Sequence, residues 1–347
     1  MRIQNRLINQ DSKPFIIAEM SGNHNRSLER AMEIVKAAAD AGAHAVKLQT
    51  YTPDSLTIDC KGGLFDINDS KSLWYGRNLY DLYQEARTPY EWHKPLFDYA
   101  KDLGILIFST PFDEEGVDLL EELGAPAHKI ASFENNHYPL LRKIAKTGKP
   151  VIMSTGVISL SDLAGSVAWL REQGNTELAL LKCTSTYPST PENTNLRTIP
   201  HMRELFQCET GLSDHTMGIG AAVAATALGA TIIEKHFCLS RAEGGVDSAF
   251  SLEPAEMKAL VTETERAWQS LGHIQYGIQE AELKSLNYKR SVYVIKDVAE
   301  GEAFTTENLG IIRPGDGMQP KFLEEVLGKH AKGTLKRGMP LNWKLIS

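Results

Sequence analysis

Eight short apolar runs recur along the chain, and each ends in polar or charged residues. They are FIIAEM (15–20), AVKLQT (45–50), ILIFST (105–110), HKIAS (128–132), VIMST (151–155), LALLKCTS (178–185), TGLSDH (210–215) and TIIEKHF (231–237). Each has the length of a strand, is rich in Ile, Val and Leu, and is followed by a stretch of helical character. A parallel sheet buried on both faces needs such continuous apolar strands, so the pattern predicts repeated βα units. About eight such units closing on themselves form an α/β fold, the (β/α)8 TIM barrel, whose active site lies at the C-terminal ends of the strands. Here those ends carry Glu19, Lys47, Gln49, Ser109, Lys129, Ser132, Ser154, Ser185, Ser213, His215, Glu234 and His236. Polar groups at one rim of an apolar barrel predict an enzyme site.

At 347 residues the chain exceeds one small domain and suits a barrel with a modest appendage. No run approaches the roughly 20 apolar residues of a membrane span. The first residues, MRIQNRLINQDSKPF, lack an apolar signal core, and Cys60, Cys183, Cys208 and Cys238 show no CxxC spacing. A cytoplasmic protein with reduced thiols is the expectation. A net charge of −7 argues against nonspecific nucleic-acid binding. It leaves an anionic small substrate open, because local lysines can dominate the field inside a cleft.

Segments 27–43 and 88–104 carry apolar residues at helical spacing, and 218–230 is a small-residue helix suited to tight packing. Segment 254–270 supplies a final helix. The long connection 51–87, with Trp74 and several tyrosines, has the position of a loop that shapes a pocket or its lid. After about residue 285 short strand-like runs alternate with Gly and Pro turns. The expected domains are therefore a barrel over 1–284 and a small second domain over 285–347.

Side chains two apart on a strand point the same way. Lys47 with Gln49, Ser213 with His215, and Glu234 with His236 are such pairs. Facing the mouth, His215 and His236 on neighbouring strands could share one divalent metal with open coordination positions. The alternative is two hydrogen-bonded core histidines. Lys47 and Lys129, with Ser132, Ser154 and Ser213, suit a phosphate cradle, and STG (154–156) could add backbone N–H donors at a helix start. Alternatively, the lysines are solvated and the serines are helix caps. Glu19 and Glu134 are candidate acid–base groups or simple lysine partners.

The motifs AEMSGNHN (18–25), KLQTY (47–51), STPFD (109–113), KIASFE (129–134), STG (154–156), CTSTYP (183–188), GLSDHT (211–216) and EKHF (234–237) resemble the sialic acid synthase family in order and spacing. The C-terminal segment, including IIRPGDG (311–317), is similar to that family's antifreeze-like (SAF) domain. The resemblance implies condensation of phosphoenolpyruvate with an acylated amino sugar, a divalent metal, and a homodimer in which the small domain of one subunit covers the other's barrel. It makes His215 and His236 the metal ligands, with Mn2+ expected and Mg2+ or Co2+ as alternatives. It assigns phosphoenolpyruvate contacts to Lys47, Lys129, Ser132, Ser154 and Ser213, and sugar contacts to Gln49, Tyr187 and Asp247. Arg313 becomes the arginine reaching across the dimer, and Glu19 and Glu134 become carboxylates of the reaction centre. Ser185 stands where neuraminate-forming members usually carry Asn, which leaves its part in phosphate binding open.

Phe133 within KIASFE, the loop GGVDSAFSLEP (244–254) and WYGRNLYDLYQEA (74–86) resemble the pseudaminic acid synthase branch. That branch uses 2,4-diacetamido-2,4,6-trideoxy-L-altrose, against whose methyl group Phe133 and Phe250 could provide apolar surface. N-acetylneuraminate and legionaminate synthases are the alternatives within the family. Outside it stand a Schiff-base aldolase using Lys129 or Lys182, and a noncatalytic sugar-binding protein.

Overall fold

The computed structural model describes residues 1–347. Eight parallel strands close into a barrel: β1 (Phe15–Glu19), β2 (Ala45–Thr50), β3 (Leu106–Pro111), β4 (His128–Ile130), β5 (Val151–Ser154), β6 (Leu178–Cys183), β7 (Glu209–Asp214) and β8 (Ile232–His236). Strand β8 pairs with β1, Ile232 opposite Phe15 and His236 opposite Glu19. A short hairpin, Arg2–Ile3 with Arg6–Leu7, precedes the barrel.

Side-chain alternation divides every strand between two environments. Inward, Phe15, Ile17, Ala45, Phe108, Ile152, Ala179, Leu181 and Ile232 form one buried cluster. One pleat further on, the same strands turn Glu19, Lys47, Lys129, Ser154, Ser213 and Glu234 toward one another. The barrel is thus apolar below and polar at its C-terminal end. The outward residues Ile16, Ala18, Val46, Leu48 and Ile107 meet the helical layer.

Eight helices follow the strands: α1 (Leu28–Asp40), α2 (Tyr90–Leu103), α3 (Glu114–Glu122), α4 (Tyr138–Ala145), α5 (Leu160–Glu172), α6 (Thr198–Phe206), α7 (Gly220–Ala227) and α8 (Pro254–Leu271). Helix α1 starts at Ser27, whose hydroxyl accepts from Arg30 N, and buries Ala31, Ile34, Val35 and Ala38 at helical spacing. Helix α7 is built of small residues and packs against α8. The connection 51–87 contains two short helices, Pro53–Leu56 and Leu79–Ala86. No helix is long and apolar enough to cross a membrane.

The chain forms two compact units, Met1–Gly272 and His273–Ser347. Segment 273–284, which the sequence assigned to the barrel, falls in the second unit; Glu280–Tyr288 is a 3-10 helix with no buried residue. In that unit β9 (Ser291–Val294) pairs antiparallel with β10 (Leu309–Ile312). Isolated bridges such as Val298 to Leu335 and Ala303 to His330 continue the pairing. Val292, Val294, Val298, Phe304, Leu309, Val326, Leu335 and Leu341 form a separate core.

Candidate active site

The floor of the barrel mouth is a buried cluster of two ammonium groups and two carboxylates. Lys47 Nζ lies 2.7 Å from Glu19 Oε2 and 3.8 Å from Glu234 Oε2, while Lys129 Nζ lies 3.9 Å from Glu234 Oε1. Lys129 also donates to Ser154 Oγ at 2.6 Å, and Lys47 to Thr110 Oγ1 at 3.3 Å. Ser213 donates to Glu234 Oε1 at 3.0 Å. Two carboxylates this close do not ionise independently. Burial raises both, but two flanking lysines and Ser213 bring Glu234 below the usual carboxylate range. Glu19 stays raised: burial and the Glu234 charge outweigh Lys47. Burial lowers the Lys129 ammonium from its ordinary value.

Beside this floor sits a cradle of small polar groups. Gly156 N donates to Ser132 Oγ at 3.2 Å, and a Cβ at Gly156 would overlap the hydroxyls of Ser132 and Ser185. Asn135 Nδ2 donates to Gly156 O at 2.9 Å, holding the loop after β5. Glu134 stands at the edge with Oε2 buried and unpartnered. Burial lifts its carboxyl to about 7, against a smaller opposing pull from Lys129. A carboxyl poised there can exchange a proton near neutral pH.

His215 and His236 meet with ring centroids 5.3 Å apart. His215 Nδ1 donates to the Thr184 carbonyl oxygen at 3.0 Å, which leaves Nε2 as the nitrogen available to a metal. His236 Nδ1 is buried without a hydrogen-bond partner and lies 3.8 Å from Asp247 Oδ2. Burial, with the His215 and lysine charges behind it, holds the His236 imidazole neutral. A neutral His236 has a ring nitrogen to spare for a divalent metal. At His215 burial is outweighed by Cys183 and the Thr184 carbonyl, which raise the imidazole, so His215 would give up its Nε2 proton on coordination. No group of three or more His, Cys, Asp or Glu side chains converges as a ligand set, so His215 and His236 alone are the candidate protein ligands. Cys183 Sγ lies 4.0 Å from His215 Nδ1; burial would raise the thiol, but His215, Ser132 and Ser185 bring it to about 6.

Aromatic rings wall the histidines. Tyr187 packs on His215 at 4.4 Å, Phe250 on His236 at 4.9 Å, and Trp74 on Tyr187 at 5.7 Å. Trp74 Nε1 donates to Val246 O at 2.9 Å, tying the 51–87 connection to the loop that carries Asp247 and Phe250. Ser21 donates to Asp247 Oδ2. Gln49 Nε2 donates to Glu19 Oε1 at 2.9 Å and to Ser21 Oγ at 3.1 Å.

Glu19, Lys47, Gln49, Lys129, Ser132, Glu134, Ser154, Ser185, Tyr187, Ser213, His215, His236 and Asp247 thus join one connected set. Several expectations differ from the structure. Ser109 does not face the mouth: it pairs in register with Leu48, points outward and bonds Thr50 Oγ1 at 2.6 Å, itself bonded to His93. Its neighbour Thr110 faces inward instead. STG opens no helix; α5 begins at Leu160 with Ser159 as its cap, and the Gly156 N–H is taken by Ser132. Phe133 is 61% exposed, whereas Phe250 is 1% exposed and packs under the histidines. Lys182 alternates outward and donates to Cys183 O at 2.8 Å. Arg313 is exposed in the second unit. Thr110, Ser21, Asn135 and Trp74 were missed as site residues. Strand alternation from Lys47 and Gln49, carried across to β3, is the signal that could have found Thr110.

A family model described as the NeuB family matches residues 34–276, and one described as the SAF domain matches 289–347. The chain is 47% identical to the pseudaminic acid synthase of Campylobacter jejuni subsp. jejuni over 95% of this chain and 96% of that protein. It is 36% identical to the N,N'-diacetyllegionaminic acid synthase of the same organism, over 93% of this chain and 97% of that protein. Among solved structures, the N-acetylneuraminic acid synthetase of Leptospira borgpetersenii matches with a TM-score of 0.73 at 32% identity, covering 83% of this chain and 95% of that one. Barrel, rim chemistry and family matches agree, and the chain belongs to the NeuB family, with a SAF domain at its C-terminal end.

Proposed function

We propose that the chain condenses phosphoenolpyruvate with 2,4-diacetamido-2,4,6-trideoxy-L-altrose, releasing phosphate by C–O cleavage, as a pseudaminic acid synthase does. The observation that carries this reading is the convergence of two imidazoles, two ammonium groups and several hydroxyls at the C-terminal end of one barrel. The 47% identity to a pseudaminic acid synthase, against 36% to a legionaminic acid synthase, supports the choice of sugar. The aromatic wall of Tyr187 and Trp74 beside the histidines supports a sugar with a methyl group where others carry a hydroxyl.

Lys47 and Lys129 hold the phosphate and carboxylate of phosphoenolpyruvate, with Ser132, Ser154, Ser185 and Ser213 as hydroxyl partners. Gln49, Tyr187 and Asp247 orient the open-chain sugar, so that its aldehyde carbon meets C3 of phosphoenolpyruvate. A divalent ion held by His215 and His236, Mn2+ with Mg2+ or Co2+ as alternatives, supplies Lewis-acid polarisation of the aldehyde. As the C–C bond forms, Glu19, whose carboxyl is raised by burial and the Glu234 charge, gives a proton to the new alkoxide. Positive charge then develops at C2 beside Glu234, and water adds there while Glu134 accepts its proton. Collapse of the tetrahedral centre forms the C2 carbonyl and breaks the bond from C2 to the bridging oxygen, which leaves with phosphate and takes up the proton of the C2 hydroxyl.

The test is incubation with phosphoenolpyruvate labelled with heavy oxygen at the bridging position, alongside a panel of amino sugars. Expected are labelled phosphate and a product of pseudaminic acid mass, with turnover lost on chelation. Equal turnover of N-acetylmannosamine would overturn the sugar assignment. Borohydride trapping of Lys129 would replace the condensation with a Schiff-base aldolase.

A further inference from the structure

Behind the two histidines, on the outward face of β7 and β8, lies a buried ion pair that the proposed chemistry does not use. Lys235 and Asp214 are opposite one another in register, and both side chains are fully shielded from solvent. Lys235 Nζ donates to Asp214 Oδ2 at 2.9 Å and to Thr216 O at 2.5 Å. Asp214 Oδ1 accepts from Thr216 N at 2.9 Å. Both backbone polar groups of Thr216 are therefore held by one ion pair, and its two members directly precede His215 and His236. The next link is also fixed: Ser189 N donates to His215 O at 3.0 Å.

We propose that Lys235 and Asp214 are positioning residues that set the separation and facing of His215 and His236. Strand ends are where a chain leaves the ladder and loses its register constraint. Here the ladder between β7 and β8 stops at the pair Asp214 and Lys235, one residue before His215. Without a further tie, the His215 backbone could rotate away from its neighbour. The ion pair supplies that tie from the outer face, so that it leaves the mouth free. For stability alone the pair is a poor device: apolar side chains of similar volume often serve as well or better in a buried position. The three directed bonds of the pair, with the fourth from Ser189 N to His215 O, have a geometric value that apolar packing does not provide. The assignment rests on the reading of the two histidines as a metal pair, whose ligands depend on the groups that orient them.

The test compares Mn2+ binding by the metal-stripped full-length protein, read from the loss of free-ion paramagnetic resonance signal, with the melting temperature of the same samples. Asp214→Leu/Lys235→Met removes both charges and all the directed bonds without stranding either charge. Its melting temperature is expected to fall, because the buried Thr216 N–H and C=O lose their partners, and its Mn2+ affinity to weaken about 10–100-fold. Asp214→Asn/Lys235→Gln can keep the same partners without charge, Asn Oδ1 accepting from Thr216 N, Asn Nδ2 donating to Gln Oε1 and Gln Nε2 to Thr216 O. It is expected to regain most of the affinity, and it also carries the test if the apolar variant does not fold. Wild-type affinity in the apolar variant, or no recovery in the amide variant, overturns the clamp alone. Absence of Mn2+, Mg2+ and Co2+ binding by the wild type ends the metal reading and the clamp together.

Discussion

At the scale of the residue, the site works by placing charges where water cannot reach them. Glu134 is the most directly testable case. Its folded value of about 7 lies above the 4.5 of an exposed glutamate because burial penalises the anion. If Glu134 takes the proton of the attacking water, it must be ionised, so phosphate release should fall as pH drops below about 7. Glu134→Gln should lose that acid limb together with more than about a hundredfold in rate. The stability consequence has the opposite sense. The unfolded chain releases this proton first, so the native state loses stability as pH rises from the unfolded value through 7. Glu134→Gln should therefore melt higher than wild type at and above neutral pH, the gain shrinking toward pH 4.5. A flat pH profile in the wild type would remove Glu134 from proton transfer.

At the scale of the element, two glycines separate what the barrel needs from what the site needs. Gly211 on β7 faces inward where a Cβ would run into the Ile232 carbonyl oxygen and Leu181. Backbone cannot step aside inside a closed barrel, so Gly211→Ala should cost about 3 kcal/mol, read by denaturant unfolding. Gly156 faces the Ser132 and Ser185 hydroxyls, which can rotate away. Gly156→Ala should leave the unfolding midpoint nearly unchanged while raising the KM for phosphoenolpyruvate, since the methyl fills the proposed phosphate cradle. Equal effects of the two substitutions on stability would refute this division. The strands were legible from sequence because burial on both faces leaves an unmistakable apolar run. Which face each residue takes was less so. Ser109 and Thr110 are adjacent and chemically alike, and only the register of β3 against β2 sends Thr110 inward. The helix start after β5 was misread for a related reason, because STG can cap a helix or form a loop and Asn135, from another strand end, decides the second.

At the scale of the whole molecule, the second unit exposes Ile274 and Tyr276 almost completely, with Leu283 and Tyr288 also outside. If Arg313 serves a second chain's barrel, mixing His236→Ala chains with Arg313→Ala chains should restore activity. One intact site then forms in each mixed dimer, giving up to about a quarter of wild-type turnover after full exchange. Inactivity of the mixture under conditions where labelled subunits exchange would leave Arg313 without that role.

By itself the sequence determined the barrel, the rim that carries the chemistry, and the residue types gathered there, because periodic burial and strand alternation are local properties of the chain. The tertiary structure alone decided how those groups pair. Glu234 sits between two lysines, Phe250 and not Phe133 backs the histidines, and Lys235 reaches Asp214 behind them. Each of these depends on closure of the barrel, which brings β8 against β1 and β7 and makes distant residues neighbours in a medium where charge cannot be screened.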